Sequence, residues 1–303
     1  VLQADVIRFY PENKNSQNVT LETRKVFIFL PGNPGLVDFY LTMLRRLFER
    51  EKGNVWICAI GHAGHSEHCH DHDAKPISYQ EQIQWKENFI KHEFGEWIYN
   101  AGVEVIVSGH SVGARMQLEV IKHFPNVNFV EYLGLCPTVM NIADSPNGRN
   151  ATPHLASPWK RWLAFWIVRI LAIITYPIPD FIKHPIVKFV MRRDSPLLDD
   201  HFVQYGSKLV NEYIIRNVLH MAHDEMCEIR DVEPFREIIS TLKERIVFVL
   251  SPRDKWCCNN IVAQMRESFP EATFKVLSDN VPHAFCLSHD HIEEIISHID
   301  FKK

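Results

Sequence analysis

Residues 103–113 read VEVIVSGHSVG, and this stretch decides the fold. Its first five residues have the length and β-branched content of a buried strand. From 112 to 124 apolar residues recur at the three-to-four spacing of an amphipathic helix. Residues 109–113 therefore match G-x-S-x-G in the strand-to-helix context that this motif requires. Because the corner of such a turn is strained and needs small neighbours, Ser111 is predicted as a nucleophile whose hydroxyl stands clear of the backbone, with an ordinary tight turn as the alternative.

Short β-rich segments alternate with longer helical patterns along most of the chain. This alternation predicts a mostly parallel central sheet flanked by helices. The predicted strands are 25–30, 54–60, 103–107, 129–136, 245–250 and 272–277, and the predicted helices are 36–50, 78–100, 112–124, 259–269 and 289–300. Only between 137 and 240 do Pro, Trp and long apolar stretches replace the alternation. We predict a core of residues 1–136 and 241–303 with a helical insertion at 137–240.

The composition fits one large domain and argues against two classes of protein. Apolar residues make up 46% of the 303 residues, and 33 basic against 37 acidic side chains give a formal charge of −4. A nucleic-acid-binding protein would carry a basic excess. Seven cysteines without regular spacing do not indicate the disulfide framework of a secreted domain, so we expect a reducing compartment. The first twenty residues lack the basic and apolar regions of a signal peptide.

Two residues further along the chain complete a catalytic triad with Ser111. Asp254 directly follows the predicted strand 245–250, and His283 comes shortly after the predicted strand 272–277. A serine nucleophile needs a base, and the base needs an orienting carboxylate. The chain order Ser, Asp, His, with both partners after strand ends, is that of α/β-hydrolases. We therefore predict an α/β-hydrolase fold with these three residues as the catalytic group.

An acyl-transfer site also needs hydrogen-bond donors for the oxyanion. The N–H of Val112, which follows the nucleophile, is the first candidate. The loop after the first parallel strand reads FLPGNPG at 29–35 and is placed to supply the second. Pro34 has no N–H, so Asn33 is predicted as this donor, through its backbone or its side-chain amide. The alternative is that PGNPG forms only a turn, since proline and glycine are the usual turn residues.

A histidine-rich segment follows the second parallel strand. HAGHSEHCHDHD at 62–73 places five histidines, one cysteine and two aspartates within twelve residues. Imidazole, thiolate and carboxylate groups all bind Zn²⁺, but no predicted helix or strand pair would fix a tetrahedral site there. We therefore predict no metal and no cofactor. The segment is interpreted as a solvated polar loop near the rim of the active site.

The insertion contains an apolar, aromatic-rich stretch, 159–193, with basic residues at both ends. Residues 162–178 are too few, with Arg169 among them, for a membrane span of about twenty nearly uncharged residues. The stretch fits a lid over an apolar pocket. It also fits a helix or hairpin that lies in a lipid interface, and the two interpretations are compatible. A buried core helix is the third alternative. The flanking cations favour lipid contact without spanning. The predicted lipid-surface residues are Trp159, Trp162, Phe165, Trp166, Ile170 and Leu171.

Six motifs spread over nearly the whole chain carry a resemblance to a known family. They are FLPGNPG at 29–35, GHAGH at 61–65, GHSVG at 109–113, SPNGRNATP at 145–153, DKWC at 254–257 and VPHAF at 281–285. Together they resemble the lipid droplet-associated hydrolases. SPNGR is the most specific motif, because general hydrolase chemistry does not require it. One departure is Lys255, at a position where the family often has proline.

The resemblance implies an α/β-hydrolase fold, a triad at Ser111, Asp254 and His283, association with lipid droplets and the endoplasmic reticulum, and turnover of sterol esters or other neutral lipids. Two hypotheses follow. In the first, the chain is a serine ester hydrolase that cleaves neutral-lipid esters through an acyl-enzyme at the cytosolic face of these membranes. In the second, the hydrolase body is a scaffold with little or no lipase activity, and residues 159–193 organise a lipid surface. The intact set of nucleophile, acid, base and oxyanion loop favours the first.

Overall fold

The computed structural model describes residues 3–11, 24–66, 68, 75–175, 178–193 and 195–301. Its centre is a seven-stranded sheet in the order β1-β3-β2-β4-β5-β6-β7. The strands are β1 Val6–Phe9, β2 Lys25–Leu30, β3 Trp56–Ile60, β4 Glu104–His110, β5 Phe129–Leu135, β6 Ile246–Leu250 and β7 Thr273–Val276. β2 to β7 run parallel, and β1 pairs antiparallel with β3 at the edge.

The six sequence-predicted strands are confirmed with small changes in their bounds, whereas β1 was missed. β1 is only four residues long and lies at the sheet edge, so its sequence has too short an apolar alternation to stand out. β4 occupies the centre of the sheet between β2 and β5. The mostly parallel α/β-hydrolase architecture is therefore the one that the sequence predicted.

Helices cover both faces of the sheet. Their bounds are α1 Leu41–Arg50, α2 Tyr79–Phe94, α3 Val112–His123, α4 Pro146–Leu155, α5 Pro158–Thr175, α6 Asp180–Met191, α7 Val203–Lys208, α8 Glu212–Glu228, α9 Arg236–Leu242, α10 Asn259–Ser268 and α11 His289–His298. All five predicted helices are present. The one predicted at 78–100 begins after Ser78, which forms a capping box with Glu81, and becomes a 3₁₀ turn at Gly95, where φ is 52°.

Two apolar cores lie on opposite faces of the sheet. In β2, Val26, Ile28 and Leu30 belong to one core, while Phe27 and Phe29 belong to the other. Successive side chains of a strand point to opposite faces, so a central strand that is apolar at every position buries both of its faces. This is why KVFIFL reads as a continuous apolar run.

The chain between β5 and β6 contributes helices rather than strands to the described structure. α4 to α9 all lie in this segment, which is the one that we interpret as the insertion. Among the described residues no helix is both long enough and apolar enough to cross a membrane. The helices α5 and α6 expose most of the large apolar side chains on the described surface.

Candidate active site

Ser111 occupies a sharp corner between β4 and α3. Its φ of 53° and ψ of −123° place this residue in a region that side chains rarely adopt, which fits the strained turn expected from the motif. A Cβ on Gly109 would overlap the backbone of Gly113, and a Cβ on Gly113 would overlap the backbone oxygen of Leu30. The two glycines are therefore required by close backbone approach around the corner.

The three predicted triad side chains come together at the carboxyl ends of the parallel strands. His283 Nε2 lies 3.0 Å from Ser111 Oγ, and His283 Nδ1 lies 2.7 Å from Asp254 Oδ2. Asp254 is almost completely buried, and its other oxygen accepts hydrogen bonds from the backbone N–H groups of Trp256 and Cys257 at 2.7 and 3.0 Å. Because the carboxylate orients Nδ1–H, Nε2 is left free to accept the serine proton.

A second hydrogen-bonded chain, centred on His110, supports the first one. His110 Nε2 lies 3.0 Å from the backbone oxygen of His283, which is only an acceptor, so Nε2 carries the proton. His110 Nδ1 then accepts the proton of the Tyr40 hydroxyl at 2.7 Å, and that hydroxyl accepts from Gly32 N–H at 3.3 Å. Burial holds the pKa of His110 well below its usual range, consistent with a neutral ring. No sequence pattern indicated this network, because Tyr40 lies at an ordinary core position and His110 at the variable position of the G-x-S-x-G motif.

The loop of residues 31–35 lies directly against the nucleophile, because a Cβ on Gly32 would contact the Ser111 side chain. The amide of Asn33 faces away from this contact. Its Nδ2 donates to Val218 O at 3.0 Å and to Glu225 Oε1 at 3.1 Å, both on α8. The side-chain amide of Asn33 therefore already donates to other acceptors. The backbone N–H groups of Asn33 and Val112 remain as the two candidate oxyanion donors.

Glu225 connects the insertion to this loop from a fully buried position. Burial raises the pKa of the Glu225 carboxyl to about 8, although its hydrogen bond from Asn33 opposes the shift. The carboxyl is therefore mostly neutral at pH 7 while it still accepts the bond from the loop. Nothing in the sequence marks this glutamate among the 37 acidic residues.

The interpretation of the histidine-rich segment as a solvated loop is wrong for its first part. His62 and His65 are only 1% exposed, because they pack behind the residue 31–35 loop. His65 Nδ1 donates to Pro34 O at 2.6 Å, and the His62 ring fills the space that a Cβ on Gly35 would need. Burial lowers the pKa of His65 to about 4, so this donor works as a neutral ring.

Lys86 on α2 completes the packing behind the loop. Its fully buried amine donates to Gly61 O and His62 Nδ1, each at 2.9 Å. Burial lowers the pKa of Lys86 to about 7. GHAGH thus serves as the support of the neighbouring loop.

Residues 67 and 69–74 of the histidine-rich segment lie outside the described residues, and the described ones contain no group of His, Cys, Asp or Glu arranged to hold a metal ion.

Comparison with known proteins identifies the family. A family model described as lipid-droplet associated hydrolase matches residues 23–286. The chain belongs to this family. Lipid droplet-associated hydrolases from Rattus norvegicus and Gallus gallus are 28% and 26% identical to it over 281 and 276 residues. These matches cover 90% and 87% of this chain and 83% and 80% of the respective relatives.

Solved structures support the same fold at lower sequence identity. A haloalkane dehalogenase from Agrobacterium tumefaciens superposes with a TM-score of 0.63 at 12% identity, covering 98% of this chain and 91% of the other. A thermophilic esterase from Thermogutta terrifontis superposes with a TM-score of 0.52 at 12% identity, covering 98% and 92%. The protein is thus an α/β-hydrolase of the lipid droplet-associated hydrolase family.

The SPNGR motif, residues 145–149, joins the insertion to the loop of residues 251–258, which carries Asp254 and which we call the acid loop. Ser145 caps α4 by accepting a hydrogen bond from Gly148 N–H at 2.9 Å. A Cβ on Gly148 would overlap the backbone of Ile142 and Ala143, so the motif needs glycine there. Asn147 N–H donates to Lys255 O at 3.1 Å, next to Asp254.

A cavity of about 510 Å³ opens beside the triad. Its wall includes Asn33, His110 and His283, and its volume lies within the range of about 300–1,000 Å³ usual for small-molecule sites. The motif residue Asn147 also lines it. Both the core and the insertion therefore shape the space in front of the nucleophile.

The predicted lipid-surface residues are exposed where their side chains are described. Trp159 and Trp162 are 63% and 62% exposed, and Trp166 and Ile170 are exposed as well. The side chains of Phe165 and Leu171 lie outside the described part of the structure. The alternative of a buried core helix is wrong for α5, because its described aromatic side chains face solvent.

The helix α6, like α5, exposes large apolar side chains to solvent. We call the exposed apolar side chains of these two helices the apolar face. In α6 they are Phe181, Ile182, Ile186, Phe189 and Val190. Their spacing of three to four residues places them on one side of the helix. Arg169 does not interrupt this surface, because its guanidinium is paired with Glu212 of α8 at 3.1 Å.

Proposed function

We propose that the protein is a serine carboxylic-ester hydrolase that cleaves acyl esters of lipids through an acyl-enzyme. The observation that carries this proposal is the continuous hydrogen-bonded chain from Asp254 through His283 to Ser111 at a strained strand-to-helix corner. Family membership supports hydrolase chemistry in general. The triad geometry supports the narrower assignment to ester cleavage by a serine nucleophile.

In the proposed reaction His283 Nε2 takes the Ser111 hydroxyl proton as Oγ attacks the ester carbonyl. The tetrahedral oxyanion accepts hydrogen bonds from the backbone N–H groups of Val112 and Asn33. Its collapse expels the alcohol, which receives the proton from His283, and leaves an acyl group on Ser111. Water then attacks the acyl-enzyme with His283 as base, which releases the acid and restores the serine. The Asp254 carboxylate orients the His283 ring and stabilises the imidazolium.

The proposed substrates are the neutral-lipid esters of a droplet, sterol esters or acylglycerols. The names of the relatives connect them with lipid droplets, and the apolar face gives this chain a surface for the same environment. We place the protein on the cytosolic face of lipid droplets and the endoplasmic reticulum, bound from one side of the lipid layer. Exposed tryptophans next to lysine and arginine suit the boundary between acyl chains and head groups.

The second candidate is a lipid-surface organising protein that uses the hydrolase body as a scaffold. The extent of the apolar face favours this candidate, because a soluble esterase would not need so many exposed aromatic side chains. The intact triad and its supporting networks favour the enzyme. Both functions could reside in one chain, since they use different residues.

The proposed chemistry is tested by covalent labelling with a fluorophosphonate. The wild type should label and Ser111→Ala should not. Ser108→Ala is the matched control, because Ser108 is a buried serine in the same strand that does not contact His283. Equal labelling of the wild type and Ser111→Ala would remove this serine from the mechanism.

The substrate is tested by adding purified wild type or Ser111→Ala protein to isolated droplets and measuring all lipid classes. One neutral-ester class should be consumed only by the wild type. Deletion of residues 159–193 and Ser111→Ala are then compared for droplet binding and for the cellular phenotype. If the deletion abolishes both while Ser111→Ala leaves both intact, the scaffold hypothesis is supported and the enzyme hypothesis is contradicted.

A further inference from the structure

Three exposed cations line the active-site cavity, and we call the solvent-facing part of the cavity where they lie its mouth. Arg253 and Lys255 come from the acid loop after β6, and Arg193 comes from the residues that follow α6 in the insertion. All three are exposed, and they line the cavity that also contains His283. Among the described residues that line this cavity there is no aspartate or glutamate. The chain as a whole is slightly acidic, so this local excess of positive charge differs from the average surface.

The acid loop buries its negative charge and exposes its positive charges. Asp254 points inward, where His283 and two backbone N–H groups bind its carboxylate. The residues on either side of it, Arg253 and Lys255, are exposed. A chain that needed only to hold the triad carboxylate could have placed neutral residues at both positions. The cavity mouth therefore presents the cations of this loop while its one carboxylate is buried and bonded.

Cations elsewhere on the insertion behave differently. Lys188 forms an ion pair with Asp200, and Lys208 with Asp38. Among the described carboxylates, none lies within ion-pair distance of Arg193, Arg253 or Lys255. No described carboxylate therefore competes with a ligand for these three charges.

The remaining wall of the cavity is largely apolar. Leu36, Phe39, Met191, Leu209 and Trp256 contribute to it. A cavity with apolar walls, a cationic mouth and His283 in its wall fits an amphiphile better than it fits a wholly uncharged ester.

We propose that this cavity selects acyl esters that also carry an anionic phosphate or carboxylate group, with Arg193, Arg253 and Lys255 as the residues that recognise the anion. The inference rests on the proposed hydrolysis of acyl esters by Ser111 and adds a preference to it: neutral esters remain substrates, and esters that carry an anion are turned over with a higher kcat/KM. The apolar walls take the hydrocarbon portion, and the three cations bind the anion at the mouth while the ester lies at Ser111.

Exposed ion pairs are weak singly, and their effect adds when several act on one ligand. Each pair contributes roughly 1.4-fold to fivefold in affinity, so three together give a preference of about threefold to 100-fold. Salt screens such exposed charges, with a Debye length of about 10 Å at 0.1 M and about 3 Å at 1 M. The preference should therefore be largest at low ionic strength.

The test uses two water-soluble esters that differ only in charge, 1-hexanoylglycerol and 1-hexanoylglycerol 3-phosphate, below their aggregation concentrations. For the wild type, kcat/KM should favour the phosphate ester, and the ratio should fall toward one in 0.5 M NaCl. The variant Arg193→Gln/Arg253→Gln/Lys255→Gln should lose the preference at all salt concentrations. Arg192→Gln is the matched control, because this neighbouring exposed arginine does not line the cavity, and it should keep the preference.

The second arm separates an anionic substrate from an anionic lipid surface. Vesicles of phosphatidylcholine, with or without about one-fifth phosphatidylserine, are mixed with the same variants and floated. If the triple variant loses binding to anionic vesicles but keeps the phosphate-ester preference, the cations serve the membrane and the proposal is overturned. Turnover of both esters at equal rates by the wild type also overturns it while leaving ester hydrolysis intact. Absence of turnover of any ester would instead remove the proposed function and this inference with it.

Discussion

The triad end of the sheet and the apolar face of α5 and α6 follow opposite rules for placing side chains. At the triad, polar and titratable groups such as Asp254, Lys86 and Glu225 are buried, and each has hydrogen-bond partners. On α5 and α6, large apolar groups such as Trp159 and Phe181 face solvent. Burying a polar group and exposing an aromatic one both cost free energy. The two regions therefore indicate two separate demands on the chain, chemistry at one and contact with an apolar phase at the other.

The largest effect that would separate the two regions is expected for Ser111→Ala. Loss of the nucleophile should lower kcat/KM for a soluble ester by about 10⁴-fold or more. Flotation with phosphatidylcholine vesicles should be unchanged, because Ser111 does not belong to the apolar face. The measurements are initial rates with p-nitrophenyl butyrate and vesicle flotation of the same preparation. Loss of vesicle binding in this variant would show that the two regions are not independent.

In the buried polar region, Glu225→Gln should change the pH dependence of stability. The folded-state pKa of this carboxyl is about 8, against an ordinary value of 4.5. Below pH 4.5 it is protonated in both states, and between about 4.5 and 8 only the unfolded chain loses the proton. The wild type therefore loses stability over this window, by up to about 5 kcal/mol, which the glutamine variant avoids.

We expect Glu225→Gln to match the wild type near pH 4 and to exceed its melting temperature at pH 8. The glutamine keeps an acceptor for the Asn33 amide, so the loop contact is retained. Glu228→Gln is the control, because Glu228 lies on the same helix, is exposed and bonds to Gln80. Thermal melts at several pH values measure the difference. An equal response of both variants would contradict the buried, neutral state of Glu225.

The apolar face gives the third prediction. Trp159→Ser/Trp162→Ser should weaken vesicle binding by about 10- to 100-fold, since each side chain would otherwise bury apolar area in the lipid. The melting temperature should stay within a few degrees, because both side chains are already exposed in the folded protein. Tyr10→Ser, which changes an exposed aromatic residue outside this face, is the control. Unchanged vesicle binding would exclude these two tryptophans from lipid contact.

The smallest expected effect concerns the hydrogen-bonded chain through Tyr40. Tyr40→Phe removes the hydroxyl that bonds to His110 Nδ1 and Gly32 N–H while it keeps the ring. The unfolding free energy should fall by about 1 kcal/mol, or somewhat more because both partners are buried. Chemical denaturation measures this change. A variant as stable as the wild type would show that the hydroxyl contributes little to holding the residue 31–35 loop.

Much of the fold was predictable from local pattern. Six parallel strands and five helices follow from apolar periodicity, because a strand buried on both faces is apolar at every position and a surface helix is apolar at every third or fourth. The edge strand Val6–Phe9 was not found, since four residues give too little pattern. The convergence of Ser111, Asp254 and His283 was predictable because strand ends in a parallel sheet meet at one edge.

The sequence by itself determined the order of strands and helices, the nucleophile motif and the chain order of acid and base. Only the tertiary structure decided which partners meet: Asn33 with Glu225, His65 with Pro34, and Tyr40 with His110. It also decided that the apolar residues of α5 and α6 face outward. The physical reason is range, because periodicity and turn chemistry act over a few residues, whereas these contacts join segments that only the packing of the whole chain brings together.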